Sequence, residues 1–193
     1  MSYSKPRIGD RKVDSVTKSY FENLEAKDKD AQFEAFNNIK AAIEEEVDWA
    51  YEVWDQLKDW LTDPDNHRRS RAAQFLSGLA ISDPEKRMLN DFPALWEVTK
   101  DSKFVTARHS LQSIWKVGLA GKEQKDLVIT HIIDRFRNGA DEKHYTLIRF
   151  DMIQGLRNLY DELKDETIKQ TAMDLIETEE DIKYRKKYLS VWK

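Results

Sequence analysis

Apolar residues recur along most of the chain at spacings of three and four, which places them on one face of an α-helix. A clear run consists of Phe33, Phe36, Ile39 and Ile43. No long stretch alternates strictly between apolar and polar residues, as a half-buried β-strand would. The pattern predicts ten helices in five pairs, at 12–25 and 30–46, 48–61 and 66–80, 86–99 and 104–119, 123–137 and 143–163, and 165–177 and 181–192.

Short polar turns separate the predicted helices. Asp63-Pro64 and Asp83-Pro84 are predicted to end helices, because proline disfavours the helical conformation of the residue before it. Asn138-Gly139 is predicted to end a helix in the left-handed conformation that glycine tolerates. Asp101 or Ser102 is predicted to cap the helix that follows it.

The predicted helix pairs form a weak internal repeat. In four segments a helix ends on an apolar residue, a polar turn follows, and an arginine stands about ten residues later. These arginines are Arg71, Arg108, Arg149 and Arg185, which lie 37, 41 and 36 residues apart. An earlier segment fits the same frame with Leu24 at the helix end and Glu34 in place of the arginine. A period of this length is typical of two helices per repeat.

The clearest repeat has Pro93 inside its first helix, Asp101 in the turn and Arg108 near the start of the second helix. This order resembles the proline, aspartate and arginine of the HEAT-repeat family. Partial matches lie at Asp65 with Arg71 and at Asp141 with Arg149. The resemblance covers about 12–192 and implies an all-α fold, a right-handed α-α superhelix of about five stacked antiparallel helix pairs. It also implies that the second helices line a concave surface that binds proteins or, in some branches, nucleic acid. We therefore expect a flexible N-terminal arm at 1–11 and one solenoid domain at 12–193.

The composition is that of a folded protein, with 40% hydrophobic and 35% charged residues among 193. Only six glycines and four prolines occur, which argues against the many turns of an all-β fold. The chain has no cysteine, so disulfides, thiolate nucleophiles and cysteine-based zinc sites are excluded, and a cytoplasmic location is expected. No signal-peptide pattern and no apolar run of membrane-spanning length occurs, so no membrane partner is expected.

Positive charge is concentrated in the middle of the chain. Residues 67–157 carry 16 basic and 11 acidic side chains, although the whole chain has a net charge of −4. If the second helices line a concave face, these cations form a stripe that attracts an acidic protein segment or phosphates. The candidate binding residues are Arg68, Arg69, Arg71, Lys103, Arg108, Lys143 and Arg149.

The repeated arginines also have a structural interpretation. A guanidinium at the start of a second helix can form paired hydrogen bonds with the turn aspartate of its own or an adjacent repeat. Arg71, Arg108 and Arg149 would then form a ladder along the solenoid rather than a ligand site. We favour this interpretation for these three residues, which leaves the neighbouring cations as the candidates for binding.

No pattern of catalytic residues is recognised. The four histidines lack the His-Glu-x-x-His spacing of a zinc site, and no glycine-rich phosphate-binding loop is present. We therefore expect no catalytic residue, no metal and no cofactor. The predicted function is that of a non-enzymatic interaction or scaffold module, which binds a protein or another acidic partner on its concave face.

The alternative is a DNA-binding protein, because the tryptophan-rich helices and basic second helices also resemble the alkylpurine DNA glycosylases built from HEAT-like repeats. The segment that carries this resemblance is 48–55, with Trp49, Trp54 and Asp55, followed by Arg68 and Arg69. That family places an aspartate four residues after a tryptophan, and no tryptophan here has one at this spacing. Packing between neighbouring helices is the competing explanation for the tryptophans.

Overall fold

The computed structural model describes residues 15–193, and the arm predicted at 1–11 lies outside them. Within this range the protein is all-helical and contains no β-strand, which confirms the all-α prediction. None of these helices is long and apolar enough to cross a lipid bilayer. The ten α-helices are α1 Ser15–Asn23, α2 Lys29–Ala42, α3 Ala50–Trp60, α4 Asn66–Leu79, α5 Arg87–Val98, α6 Phe104–Ser113, α7 Lys122–Asn138, α8 Tyr145–Leu163, α9 Glu166–Glu177 and α10 Ile182–Leu189.

Each predicted helix has a counterpart in the structure, and the largest difference is at α6. The predicted helix 104–119 becomes α6 followed by a seven-residue 3₁₀ segment, Ile114–Ala120. This segment contacts α4, α7 and α8. A Cβ on Gly118 would stand 3.0 Å from both terminal methyl groups of Leu159, so α8 approaches the segment closely. Packing against three helices thus accompanies the tighter winding.

The helices contact one another in a regular order. The two members of each pair are in contact, from α1 with α2 to α9 with α10. The even-numbered helices also contact one another in sequence, α2 with α4, α4 with α6, α6 with α8, and α8 with α10. Among the odd-numbered helices, α3 contacts α5, α5 contacts α7, and α7 contacts α9. One connected cluster of buried apolar side chains extends from Leu24 to Tyr188.

Helix α4 lies at the centre of these contacts and is buried on most of its surface. Ala72, Ala73, Ser77 and Gly78 are all buried, and their small side chains permit neighbouring helices to approach. A Cβ on Gly78 would stand only 2.8 Å from Cδ1 of Ile43, just beyond the end of α2. A helix buried in this way can serve as a rigid base for a site on the surface above it.

Aspartates cap several helices, as the polar turns predict. The carboxylates of Asp65, Asp165 and Asp181 each accept a hydrogen bond from the backbone N–H two residues later. At α6 the N-cap is Lys103, which forms no side-chain capping hydrogen bond, instead of the predicted Asp101 or Ser102; Asp101 accepts a hydrogen bond from the N–H of Lys103 at 2.7 Å, before the helix begins. Helix α7 ends at Asn138, as predicted, but Gly139 does not adopt the left-handed conformation, since it has φ −92° and donates its N–H to the carbonyl of Arg135 at 2.8 Å.

Candidate functional site

Two adjoining cavities form a groove that runs over α4 between α2 and α6, and a third cavity, lined by α6 residues alone, adjoins the groove at His109 and Gln112. Their volumes are about 410, 320 and 280 Å³. His109 lines all three cavities, and Gln74 lines the two larger ones. We call this surface the α2–α6 groove and define it by the residues Phe33, Phe36, Lys40, Arg71, Gln74, Val105, His109 and Gln112.

The α2 wall of the groove arises from the helical spacing of its residues. Phe33, Phe36 and Lys40 follow one another at intervals of three and four and therefore lie on one side of the helix. Phe36 is half-buried against Phe75 of α4, with ring centroids 5.5 Å apart. Phe33 is 68% exposed, although its position in the apolar pattern resembles that of a core residue. An aromatic side chain is thus presented to the groove.

The opposite wall has the same construction. Val105, Arg108, His109 and Gln112 recur on α6 at positions i, i+3, i+4 and i+7, which form one face of the helix. Val105 is 64% exposed. Phe33 is therefore exposed on the α2 wall, and Val105 is exposed in the adjoining cavity on α6, beside Arg108 and His109.

Ion pairs stand at the two ends of the groove. At one end Lys116 of the 3₁₀ segment pairs with Glu44, which follows α2. At the other end Arg68 of α4 pairs with Glu25 and also with Asp63, at 3.0 Å from the latter. These pairs neutralise Glu25 and Glu44, so the carboxylates at the ends of the groove already have cationic partners.

Two cations inside the groove contact only neutral groups. Arg71 donates to the backbone carbonyl of Leu24 at 2.7 Å and to the amide oxygen of Gln32 at 3.1 Å. The ammonium of Lys40 lies 5.5 Å from the ring centroid of Phe36. Neither residue forms an ion pair with a carboxylate within 15–193, so two uncompensated positive charges remain in the groove.

The electrostatics at His109 show the effect of these charges. Partial desolvation lowers the pKa of His109 below the usual 6.5, and the nearby charges of Lys40 and Arg108 lower this pKa further. Asp151 acts in the opposite direction but is a smaller influence. The surroundings of His109 are therefore electropositive on balance, and an anion placed there would be stabilised.

The structure does not bring the seven candidate cations together in one groove. Arg71 and Arg108 border the α2–α6 groove. Lys143 lines a separate cavity of about 570 Å³ between the α5–α6 and α7–α8 turns, beside Arg135 and Glu142. Lys103 is exposed at the start of α6. The predicted stripe is thus divided among different parts of the surface.

The remaining candidates are occupied by contacts within the protein. Arg69 donates to both carboxylate oxygens of Asp101, at 2.5 and 3.0 Å. Arg149 donates to Glu179 at 2.9 Å and to the carbonyl of Phe136 at 2.8 and 3.1 Å. Arg68 is held by its two carboxylates and stacks 5.6 Å from the ring of Trp60. These contacts indicate a structural role for all three arginines.

The repeated arginines differ from the predicted ladder in their acceptors. Arg71, Arg149 and Arg185 each donate to a backbone carbonyl near the end of an odd-numbered helix, namely that of Leu24, Phe136 and Glu179. Arg108 instead binds Asp151 within α8. The turn aspartate Asp101 pairs with Arg69, two residues before the repeated Arg71. A guanidinium can satisfy the carbonyls that remain free at helix ends, which explains the recurring position.

The tryptophan segment considered for DNA repair is packed into the core. Trp49 and Trp54 are buried, and Nε1 of Trp54 donates to Asp91 of α5 at 2.9 Å. Asp55 is exposed on α3. The two tryptophans of this segment therefore stabilise the contact between helices rather than forming an exposed aromatic surface next to the carboxylate. Within 15–193 no group of three or more histidine, aspartate or glutamate side chains is arranged to hold a metal ion.

Comparison with known proteins supplies no family for this chain. No protein-family model matches the sequence, and no curated protein matches it. The HEAT-repeat resemblance therefore stays a prediction, and the groove geometry is the basis for a functional proposal.

Proposed function

We propose that the protein is a HEAT-like α-solenoid that acts as a non-enzymatic interaction module. The regular contacts among the even-numbered helices and among the odd-numbered helices support a stack of five helix pairs, which we propose to be a right-handed superhelix of antiparallel pairs. In such a stack the even-numbered helices line the concave face. The α2–α6 groove is the part of that face that we propose as the binding surface for a partner protein.

The exposed side chains of the groove carry this proposal. Phe33 on α2 and Val105 on α6 remain largely exposed, and Lys40 and Arg71 line the two cavities between these helices without a carboxylate partner in the described chain. Exposed aromatic groups combined with uncompensated charge are typical of recognition surfaces, because a partner can desolvate the first and neutralise the second. The rigid base provided by α4 keeps both walls in place.

A substitution that fills the groove with a large side chain tests the proposal. His109 lines all three cavities and is exposed, so His109→Trp should fill the groove while leaving the core unchanged. Asn90→Trp is the matched control, because Asn90 is an exposed residue of α5 outside the groove. Peptides selected from a random library on the wild-type protein should lose binding to His109→Trp and keep it on Asn90→Trp. Equal binding of the selected peptides to both variants would place the interaction surface elsewhere.

A further inference from the structure

The proposed function leaves open what kind of segment enters the α2–α6 groove. Resting on that function, we infer that the occupant is an acidic segment of a partner protein in which one large apolar side chain is flanked by carboxylates. The apolar side chain packs between the groove walls, and the carboxylates meet the cations at its centre.

The apolar part of the inference follows from the two walls. Phe33 and Val105 expose 68% and 64% of their surfaces, so a partner that covers them would remove this apolar area from water. Phe36 continues the apolar surface towards Phe75 at the base of the groove. A leucine or an aromatic side chain of a partner would bury this surface, whereas a fully polar segment would leave it in water.

The cations that would meet the partner's carboxylates lie at the centre of the groove. Lys40 approaches from α2 and Arg71 from α4, and His109 lies on α6 in the same pair of cavities. Desolvation lowers the pKa of His109, and the charges of Lys40 and Arg108 lower it further, with Asp151 as a smaller opposing influence. A carboxylate of the partner would compensate the charges of Lys40 and Arg71, which have no carboxylate partner in the described chain.

The arrangement of charge favours a protein over a nucleic acid. Glu25, Asp65 and Glu44 also line the groove, so its cavities carry charges of both signs. A nucleic-acid backbone carries closely spaced negative charges along its whole length, and Lys40 and Arg71 are too few to neutralise them. A peptide can place its few carboxylates next to the cations only, so mixed charge selects for a peptide.

Synthetic peptides provide the test, with fluorescence anisotropy as the measurement. The first peptide is labelled, rich in glutamate and has one central phenylalanine. Its matched relatives carry glutamine for every glutamate, lysine for every glutamate, or serine for the phenylalanine. We expect the first peptide to bind at least about tenfold more tightly than each relative, because both the charge and the apolar anchor contribute. Equally tight binding of the glutamine peptide would overturn the acidic assignment.

Two pairs of variants locate the contacts. Lys40→Glu should weaken the acidic peptide about tenfold, whereas Lys186→Glu, on the exposed surface of α10, should change the affinity less than about twofold. Phe33→Ser should also weaken it about tenfold, with Ile182→Ser as its control, because Ile182 is 65% exposed and lies on α10. If each control variant weakens the peptide as much as its groove variant does, the inference is overturned.

The outcomes separate this inference from the proposed function. If neutral or basic peptides occupy the groove and His109→Trp blocks them, the acidic occupant is wrong and the binding module stands. If short duplex DNA binds in a manner that depends on Lys40 while no peptide does, a nucleic acid is the occupant. If peptides bind and His109→Trp leaves them bound, the groove itself is not the binding surface and both proposals fail.

Discussion

The guanidinium of Arg108 on α6 forms a paired interaction with the carboxylate of Asp151 on α8. Nε and Nη2 of Arg108 donate to the two carboxylate oxygens at 2.7 and 2.8 Å. The side chain of Asp151 is only 3% exposed, and Gln112 adds a third hydrogen bond at 3.1 Å. The pair joins two consecutive even-numbered helices and so ties α6, which borders the groove, to α8.

Loss of this carboxylate should destabilise the protein. Asp151→Ala leaves Arg108 without its partner, and we expect the free energy of unfolding to fall by about 2 kcal/mol, less than for a fully buried pair because Arg108 keeps contact with solvent. Replacing both residues together, by Arg108→Met and Asp151→Leu, should recover most of the loss because no unpaired charge remains. Urea denaturation measures the free energy of unfolding of the single and the double variant. As a control, Asp126→Ala removes an exposed pair with Lys122 and should leave the midpoint unchanged.

Asp165 should make stability depend on pH in the acid range. It caps α9 by accepting from the N–H of Thr167 at 3.0 Å, and it pairs with Lys125 at 2.5 Å. The hydrogen bond from Lys125 and those from Thr167 lower the pKa of Asp165 to about 2. The stabilisation is therefore complete above the unfolded pKa near 4 and is lost as pH falls through about 2.

The variant Asp165→Ala tests this linkage. It should lower the free energy of unfolding by about 1 kcal/mol at pH 7, since it removes a helix cap. The difference from the wild-type protein should shrink between about pH 4 and pH 2, because the wild-type carboxylate is then protonated. Thermal unfolding at a series of pH values provides the measurement. A difference that stays constant down to pH 2 would show that the charge of Asp165 contributes nothing.

His109 should couple peptide binding to proton uptake. Its pKa lies below 6.5 in the free protein, so the ring is mainly neutral at pH 7. A bound carboxylate raises this pKa, so the affinity for an acidic peptide should increase as pH falls from about 7.5 to 5.5, where glutamate is still ionised. The other charged or titratable side chains that line the cavities with His109 are Glu25, Lys29, Lys40, Glu44, Asp65, His67, Arg71, Arg108 and Lys116.

Calorimetry in buffers of different ionisation heat measures this uptake directly. The wild-type protein should take up a fraction of a proton on binding near pH 6, and His109→Gln should reduce that uptake. Because His67 also lines the groove, His67→Gln is the necessary comparison. If His109→Gln takes up as many protons as the wild-type protein and His67→Gln takes up fewer, His67 and not His109 couples binding to proton uptake.

Local sequence signals made the helices predictable. Contacts between residues that are distant in the sequence could not be predicted in this way. The start of α9 was predicted within one residue because Asp165 supplies a cap, and Pro93 was correctly placed inside α5. The 3₁₀ segment after α6 has no such signal, since its winding accompanies contacts with three other helices. The acceptors of the repeated arginines were also inaccessible, because Arg71 reaches Leu24, 47 positions earlier.

The residues of the groove were likewise only partly predictable from the sequence. Arg71 and Arg108 are among the candidates from the sequence, but the α2 wall is not, because Phe33, Phe36 and Lys40 do not form a cluster of cations. The signal was present, since Phe33, Phe36 and Lys40 form their own stripe beside the core stripe of Ala35 and Ile39. Only the structure shows that Phe33 is exposed and that this stripe faces α6 across α4.

The most direct test of the central claim is a chemical-shift map of the ¹⁵N-labelled protein titrated with the acidic, phenylalanine-containing peptide. We expect the largest amide shifts at Phe33, Lys40, Gln74 and His109, and their disappearance in His109→Trp. The largest shifts on α9 and α10, or shifts that persist in His109→Trp, would contradict binding in the α2–α6 groove.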